Sequence, residues 1–223
     1  MDRFIERLPV VEDGDLNLCL WHGVAWQADR KHIVSYDDVY YRKCQSYEDQ
    51  EIAVRINQAR IDLVARHFGD GPLCDIGIGS GEFIRKRGNT WGQDVNPVAI
   101  EWLKREGLWA PCLCDFQAIS LWDVLEHIEN PEDVFRQVPG GAFVFVSMPI
   151  FPSLRSIRES RHYRPGEHLY YWTEPGFIAW MALHGFELLE VNDAETQAGR
   201  DSILSFAFCR LVGASPERVF HAG

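Results

Sequence analysis

The sequence predicts an α/β fold built on a mostly parallel β-sheet. From residue 49 onward, short runs rich in β-branched and aromatic residues alternate with segments whose apolar residues recur at the helical period. This alternation is typical of βαβ units, in which consecutive strands run parallel. Size agrees with this prediction, because 223 residues with 46% hydrophobic content can bury the core of one generous domain.

The predicted elements follow one another along residues 49–209. The first helix carries Ile52, Ile56 and Leu63 at helical spacing and ends near Gly69. Proline suits the first turn of a helix, so Pro97 marks the start of a later one. In chain order, the elements after the first helix are strands over 73–76 and up to 93–94, a helix over 97–105, a strand over 116–121, a helix from 131, a strand over 142–147, a helix over 173–184, and strands over 186–191 and 203–209.

The first 48 residues have no sustained period. They contain scattered acids and tryptophans and then a group of tyrosines at positions 36, 40, 41 and 47. We therefore predict an N-terminal arm or cap over residues 1–48 and a main domain over 49–223. The tyrosines are interpreted either as a lid or stacking platform over a site, or as aromatic residues that pack the arm onto the core.

Charge and composition exclude several classes of protein. With 33 acids against 22 bases, the net charge is −11, which argues against a surface that grips nucleic acid or anionic lipid. The chain has no apolar run near the roughly 20 residues of a membrane span. Its first residues contain acids where a secretory signal needs a basic region. We therefore expect a soluble cytoplasmic protein without membrane contacts; the oligomeric state is not predicted.

The 6 cysteines are scattered, so reduced thiols are expected. Cys19 and His22 have zinc-like spacing, but no second close pair of Cys or His answers them. The Cys112–Cys114 pair is too closely spaced for the usual zinc motif. No metal site is therefore predicted.

A glycine-rich turn follows the first predicted strand. Asp75 ends that strand, and glycines follow at positions 77, 79 and 81 (Gly77, Gly79, Gly81). Glycine lets the backbone approach a ligand closely while the next helix begins. The spacing differs from the dinucleotide fingerprint, whose third glycine lies one residue further on. Because an acid before the turn would repel a pyrophosphate, the turn predicts a cationic ligand; the alternative is a strand-to-helix turn that binds nothing.

A second acidic residue ends the next predicted strand. Asp94, followed by Val95 and Asn96, stands where an acid can accept hydrogen bonds from two ribose hydroxyls. Taken alone, an Asp before a helix is more often a cap. Together with the glycine turn, it indicates a cofactor that carries both an adenosine and a positive charge.

These features resemble class I S-adenosylmethionine-dependent methyltransferases. The resemblance covers roughly residues 49–209 and includes two further segments. Residues 121–128 (Leu-Trp-Asp-Val-Leu-Glu-His-Ile) are similar to the signature after the fourth strand in the branch of ubiquinone-biosynthesis and sugar methyltransferases. Residues 165–173, followed by Gly185, resemble the C-terminal part of that branch.

The resemblance implies S-adenosyl-L-methionine as cofactor and a doubly wound, Rossmann-like sheet. That sheet would have seven strands, mostly parallel with the last one antiparallel, and helices on both faces. Gly77 and Gly79 would line the methionine portion of the cofactor, and Trp122 and Asp123 would contact the cofactor or shape the floor of the pocket. Only residues 108–115 remain for the family's third strand, so it is expected to be very short or absent. Asp115 either reads the adenine or is only a turn residue.

Two histidines are candidates for a catalytic base. His127 follows the fourth strand, and His168 comes after the long connection that leaves the fifth. Each has a structural alternative: His127 could pack against Glu126 as a hydrogen-bonded pair, and His168 could be an ordered loop residue.

The acceptor is expected to meet an arginine-rich segment over residues 153–164. We assign Arg155, Arg158 and Arg161 to binding of an anionic acceptor, together with Tyr170; the alternative for the arginines is a solvated loop.

The sequence thus predicts methyl transfer to a hydroxyl or amine of a small, polar or anionic acceptor. One alternative is modification of a nucleotide or nucleic acid, although residues 122–127 lack the usual motif of the DNA base methylases. Another is a protein that binds the cofactor without catalysis.

Overall fold

Two β-sheets organise the part of the chain that the computed structural model describes, which comprises residues 10–29, 35–46 and 50–213. The strands are β1 (Val11–Asp13), β2 (Leu16–Cys19), β3 (Val24–Gln27), β4 (Leu73–Ile76), β5 (Thr90–Gln93), β6 (Ala118–Trp122), β7 (Phe143–Pro149), β8 (Tyr170–Trp172), β9 (Phe186–Asn192) and β10 (Ile203–Arg210). The helices are α1 (Asp38–Gln45), α2 (Glu51–His67), α3 (Glu82–Arg87), α4 (Pro97–Arg105), α5 (Pro131–Phe135), α6 (Glu174–Leu183) and α7 (Ala194–Gln197).

The larger sheet confirms the predicted α/β architecture, with one strand fewer than expected. Its strand order within the described residues is β5-β4-β6-β7-β10-β9. The first four strands run parallel to their neighbours, and β10 is antiparallel to both β7 and β9. The last strand is therefore antiparallel, as predicted, and the sheet has six strands instead of seven.

The missing strand is reduced to a single β-bridge. Gly92 and Trp109 form an isolated parallel bridge beside β5. The N–H of Gly92 donates to the carbonyl of Leu108 at 2.9 Å, and the N–H of Ala110 donates to the carbonyl of Gly92 at 3.0 Å. Pro111 follows at once and cannot donate to a ladder, so pairing stops there.

Helices cover both faces of the larger sheet, as predicted. On one face, Leu63 and Val64 of α2 pack against strand residues that include Phe145 and Ala207. On the other face, Phe177 and Trp180 of α6 pack against a cluster that includes alternate residues of the same strands. Because successive side chains of a strand point to opposite faces, strands buried on both sides read as continuous apolar runs. The carboxyl ends of β4, β5 and β6 position the site.

The smaller sheet joins the N-terminal region to the C-terminal half of the chain. Its antiparallel order is β1-β2-β3-β8, and Val24 and Ala25 of β3 pair with Trp172 and Tyr171 of β8. The arm predicted over residues 1–48 therefore contributes three strands to a sheet with a segment that lies beyond β7. Tyr47, one of the predicted tyrosine group, lies outside the described residues.

The cysteines differ from the expectation of reduced thiols at one position. Cys112 and Cys114 form a disulfide at the start of a short 3-10 turn, with their Cα atoms 5.3 Å apart. Four further cysteines are free, among them the buried Cys19 and Cys74. A helix with the length and apolar character needed to cross a membrane is not found in the described parts of the chain.

Candidate active site

A cavity of about 910 Å³ opens beyond the carboxyl ends of β4, β5 and β6. Parallel α/β sheets bind ligands at this edge, where the loops after neighbouring strands meet. One wall consists of the glycine turn after β4 and the loop after β5. A second wall, the tyrosine wall, consists of Tyr36, α1 and the 3-10 turn after β6. Residues of the predicted site that line the cavity are Asp75, Gly77, Gly79, Asp94, Val95, Asn96, Trp122, Asp123 and His127.

Each glycine of the turn is required by a different feature of its surroundings. Gly77 has φ +71°, and a Cβ there would lie 2.4 Å from Cγ2 of Val124. Gly79 has φ +56°, and a Cβ there would meet no atom within 4 Å, because it would point into open space at the cavity. Gly81 caps α3 with φ +80° and does not line the cavity. Gly77 thus brings the turn against the loop after β6, whereas Gly79 leaves room beside its backbone.

Asp75 is buried at the base of the cavity. Its side chain accepts a hydrogen bond of 2.6 Å from the hydroxyl of Ser120, and the residue is 2% exposed. Burial, the dominant effect, raises the pKa of Asp75 to about 7, although Ser120 and the charge of Arg60 act to lower it. A positive charge placed nearby would favour the ionised form.

Asp94 is fixed by its own loop. Its Oδ1 accepts a hydrogen bond of 2.8 Å from the N–H of Asn96, whose side chain caps α4 by accepting from the N–H of Val98 at 2.9 Å. Burial raises the pKa of Asp94, opposed by hydrogen bonds from backbone N–H groups of this loop and of the glycine turn. The Asn96 amide also donates to the carbonyl of Asp37 at 2.9 Å, which ties this loop to the start of α1.

Tyrosines of the N-terminal region contribute to the tyrosine wall of the cavity. Tyr36, Tyr40 and Tyr41 all line the cavity, together with Cys44 from the same helix. The rings of Tyr36 and Tyr40 meet edge to face at 5.0 Å between centroids. Burial raises the pKa of Tyr36 to about 12, so its hydroxyl stays protonated near neutral pH. Tyr41 belongs to a buried cluster around α4, which agrees with the packing interpretation of the tyrosines; the lid or stacking platform stays a prediction.

His127 lies beside Tyr36 in the tyrosine wall. Its Nδ1 lies 2.8 Å from the carbonyl oxygen of Glu167 and 3.2 Å from the Tyr36 hydroxyl. The ring of His168 meets that of His127 edge to face, with 4.8 Å between centroids. His168 is buried behind it and does not line the cavity. Burial, the dominant effect, lowers the pKa of His168 to about 3, so this ring is neutral near neutral pH.

Two arginines meet two carboxylates at the floor of the cavity. Arg60 of α2 donates to Asp123 at 2.8 Å and to Glu195 at 2.8 Å. Arg200 bridges the same carboxylates, at 2.7 Å from each. Burial alone would raise the pKa of Asp123, but Arg200 and Arg60 hold it below the ordinary range. Asp123 therefore remains a charged, immobilised group and cannot serve as a proton acceptor near neutral pH.

A family model described as a methyltransferase domain matches residues 27–191, most of the chain. The chain belongs to the class I S-adenosylmethionine-dependent methyltransferases. Its cofactor is S-adenosyl-L-methionine. A comparison with curated protein sequences gives no match.

Solved structures share the fold of this methyltransferase at low identity. A possible histamine N-methyltransferase from Thermotoga maritima has a TM-score of 0.55 at 13% identity, covering 77% of this chain and 98% of that one. Magnesium protoporphyrin IX methyltransferase from Synechocystis PCC 6803, with bound S-adenosylhomocysteine, has 0.53 at 13%, covering 77% and 93%. The N-methyltransferase NodS from Bradyrhizobium japonicum WM9, also with S-adenosylhomocysteine, has 0.52 at 15%, covering 78% and 99%.

Several residues that the sequence assigned to the methyltransferase site lie away from the cavity. Arg155, Arg158 and Arg161 do not line it. Arg158 instead donates to Asp15 at 2.6 Å, since its segment packs beside the smaller sheet. Tyr170 is buried and donates to the carbonyl of Glu129 at 2.9 Å.

Asp115 is exposed in the short turn that replaces the third strand and is also outside the cavity lining.

The sequence analysis missed both arginines that do line the cavity. Arg60 lies one helical turn after Ile56 and one before Val64, so it is a charge at a position that the apolar pattern assigns to the core. A charged residue in such a position has to find a buried partner, and that pattern could have marked it. Arg200 lies in a polar loop with no comparable signal.

Proposed function

We propose that the methyltransferase transfers the methyl group to a hydroxyl or amine of a small acceptor that lies between the glycine turn and the tyrosine wall. The observation that carries this proposal is that one cavity is lined both by Gly79 and Asp94 and by Tyr36, Tyr40 and His127. Methyl transfer needs the acceptor atom close to and in line with the methyl group, and needs water excluded. A cavity that joins both sets of residues supports the proposal.

The residues of the first wall fit the cofactor. The space beside Gly79 would be filled by any side chain, which is expected where a ligand lies against the backbone. Asp94 offers a carboxylate for the ribose hydroxyls, and Asp75 offers a buried one for the positive end of the cofactor. When bound, S-adenosylmethionine supplies a methyl group activated by its sulfonium. Trp122 and the ion-paired Asp123 bound the floor, while Val95 and Asn96 flank the ribose position.

The second wall determines the kind of acceptor. Tyr36, Tyr40, Ile128 and Val134 give it an apolar and aromatic lining. Both cavity arginines are already paired with carboxylates, and the arginines at 155, 158 and 161 lie elsewhere. These features support an acceptor with an apolar or aromatic body and a polar reacting group more than a strongly anionic one. We propose that the His127 side chain assists loss of the proton from that reacting group.

A transfer assay with labelled methyl groups tests this function. Tritiated S-adenosylmethionine is incubated with quinols, nucleotides, sugar nucleotides, small amines, RNA and DNA, and labelled products are separated. We expect one small-molecule class to be labelled, and His127→Ala to lower kcat at least about tenfold with unchanged affinity for S-adenosylhomocysteine. His162→Ala is the control, because the ring of His162 is likewise shielded from solvent, but it bonds to the carbonyl of Asp201 and does not line the cavity. Labelling of RNA or DNA alone would contradict the proposal.

The affinity for S-adenosylmethionine should depend on pH through Asp75. The pKa of this carboxyl is about 7 without a cationic ligand, and a sulfonium nearby favours the ionised form, so binding below pH 7 must release a proton. We therefore expect affinity to fall as pH decreases below 7, by up to about tenfold per unit, and to level off above it. Isothermal titration in buffers of different ionisation enthalpy measures both effects. Asp75→Asn should flatten the profile; a parallel slope in that variant would assign the proton to another group.

A further inference from the structure

Glu126, His127 and His168 bring three ligand-type side chains to one point at the edge of the cavity. Each offers one ligand atom, and these atoms lie within 4.8 Å of one another. Glu126 is 2% exposed and His168 is 5% exposed, while His127 reaches the cavity. The cluster thus has a buried side and a side that opens to the acceptor.

The backbone holds this cluster in place from two elements. Glu126 and His127 occupy the 3-10 turn after β6, and His168 lies just before β8. The N–H of Leu169 donates to the carbonyl of Glu126 at 2.7 Å, which joins the two elements directly at the cluster. A main-chain hydrogen bond therefore holds the two elements together where the three side chains meet.

The buried carboxylate of Glu126 lacks hydrogen-bond partners in the part of the chain that the structure describes. Within the described residues, neither of its two buried oxygens has a hydrogen-bond partner. A buried polar group without a partner costs free energy, and an unpaired buried carboxylate costs more. Such groups in a folded protein call for an unseen proton or cation.

The orientation of His127 presents an electron pair to this carboxylate. A carbonyl oxygen can only accept, so the contact with Glu167 places the proton of the neutral ring on Nδ1. Nε2 then carries its lone pair, and it lies 3.8 Å from Oε1 of Glu126. A lone pair facing a carboxylate is unfavourable unless a positive charge lies between them. Histidines that bind metals commonly donate the other ring N–H to a backbone carbonyl in this way.

We propose that Glu126, His127 and His168 bind a divalent first-row transition-metal ion at the edge of the methyltransferase cavity. Two imidazoles and a carboxylate are suitable ligands for Zn²⁺, Mn²⁺, Fe²⁺ or Co²⁺. Ligand atoms around a tetrahedral ion lie about 3.4 Å apart, so small side-chain movements close the present spacing. Three protein ligands leave a position open, and the exposed side of the cluster directs it to the cavity.

A metal ion at this site would explain chemically how His127 assists loss of the acceptor proton. If the proposed methyl transfer is correct, an acceptor hydroxyl bound at the open position would have a lowered pKa and would lose its proton to solvent more readily. His127 would then act as a ligand and not as the base itself. An acceptor with an oxygen donor atom fits this arrangement best.

Metal binding can be measured without any methyl acceptor. The protein, with affinity tag removed, is stripped with chelator, dialysed, and titrated separately with Zn²⁺, Mn²⁺ and Co²⁺ by calorimetry; Co²⁺ is also followed by its visible absorption bands. We expect one ion per chain for at least one of these metals, with His and carboxylate ligation in the Co²⁺ spectrum. Glu126→Gln and His168→Gln should each weaken binding at least about tenfold, and His162→Gln should leave it unchanged.

Two outcomes would overturn the metal site. One is the absence of stoichiometric binding of all three ions, which would leave a protonated Glu126 as the explanation of its unpartnered oxygens. The other is equal metal affinity in the parent and in both ligand variants. Affinity for S-adenosylhomocysteine and circular dichroism, measured in the same samples, verify that each variant is folded. Because neither titration involves methyl transfer, failure of the metal site and failure of the proposed function are separately visible.

Discussion

Replacing Gly79 with arginine is expected to reduce the affinity for S-adenosylhomocysteine by at least about a hundredfold, or about 3 kcal/mol. A side chain at this position would point into the open space of the cavity, where the cofactor is proposed to lie against the backbone. Arginine fills that space and also adds a positive charge beside a site proposed for a cationic ligand. Isothermal titration of the purified variant measures the loss directly.

Gly107→Arg is the matched control for this change. Gly107 has φ +70°, close to the +56° of Gly79, and a Cβ there also meets nothing within 4 Å. Both substitutions carry the backbone cost of about 1–2 kcal/mol for a side chain in the left-handed region. Gly107 is exposed at the end of α4, outside the cavity lining. Equal affinity for S-adenosylhomocysteine in the two variants would contradict the proposal that the cofactor binds against the glycine turn.

Glu195→Gln is expected to lower the free energy of unfolding by about 3–5 kcal/mol. Glu195 is fully buried and accepts hydrogen bonds from both Arg60 and Arg200, at 2.8 and 2.7 Å. Without its charge, two guanidinium groups share the single carboxylate of Asp123. Breaking a buried pair is costly because the remaining charge stays in a poorly solvated place. Urea unfolding at pH 7, followed by fluorescence, measures the change.

An exposed ion pair provides the comparison for Glu195. Asp133 pairs with Arg136 at the surface, with 63% of its side chain exposed. Asp133→Asn should change the unfolding free energy by less than about 1 kcal/mol, because solvent screens exposed pairs. If the two substitutions have similar effects, the buried network does not hold α2 and α7 against the floor of the cavity.

Features fixed by neighbouring residues were predictable from the sequence. Asn96 and Thr173 cap α4 and α6 as their positions before each helix indicate, and both make the expected hydrogen bonds to backbone N–H groups. The glycine turn and Asp94 lie at the ends of adjacent strands, so the parallel topology alone brings them together. The reduced third strand was also predictable, because residues 108–115 are too few to form a full strand between the preceding helix and the next strand.

Features that depend on which side chains meet across the fold were not predictable. Residues 153–164 form a basic run in the sequence, but Arg158 finds Asp13 and Asp15 on the first hairpin. The periodicity of the sequence does not indicate these ion pairs, because their residues are far apart in the chain. Arg60 and Glu195 come together for the same reason, through α2 and α7. His168 lies behind His127 only because β8 joins the smaller sheet.

The single amide of Asn96 links the two walls of the site. It caps the helix that follows Asp94 and also holds the carbonyl of Asp37, where the tyrosine-bearing α1 begins. A ligand that orders the Asp94 loop is therefore expected also to order the wall that is proposed to hold the acceptor. Such coupling is reciprocal by thermodynamic necessity: any factor by which cofactor strengthens acceptor binding is the factor by which acceptor strengthens cofactor binding. If such coupling operates, the cofactor and the acceptor assemble as an interdependent pair, each raising the equilibrium affinity for the other.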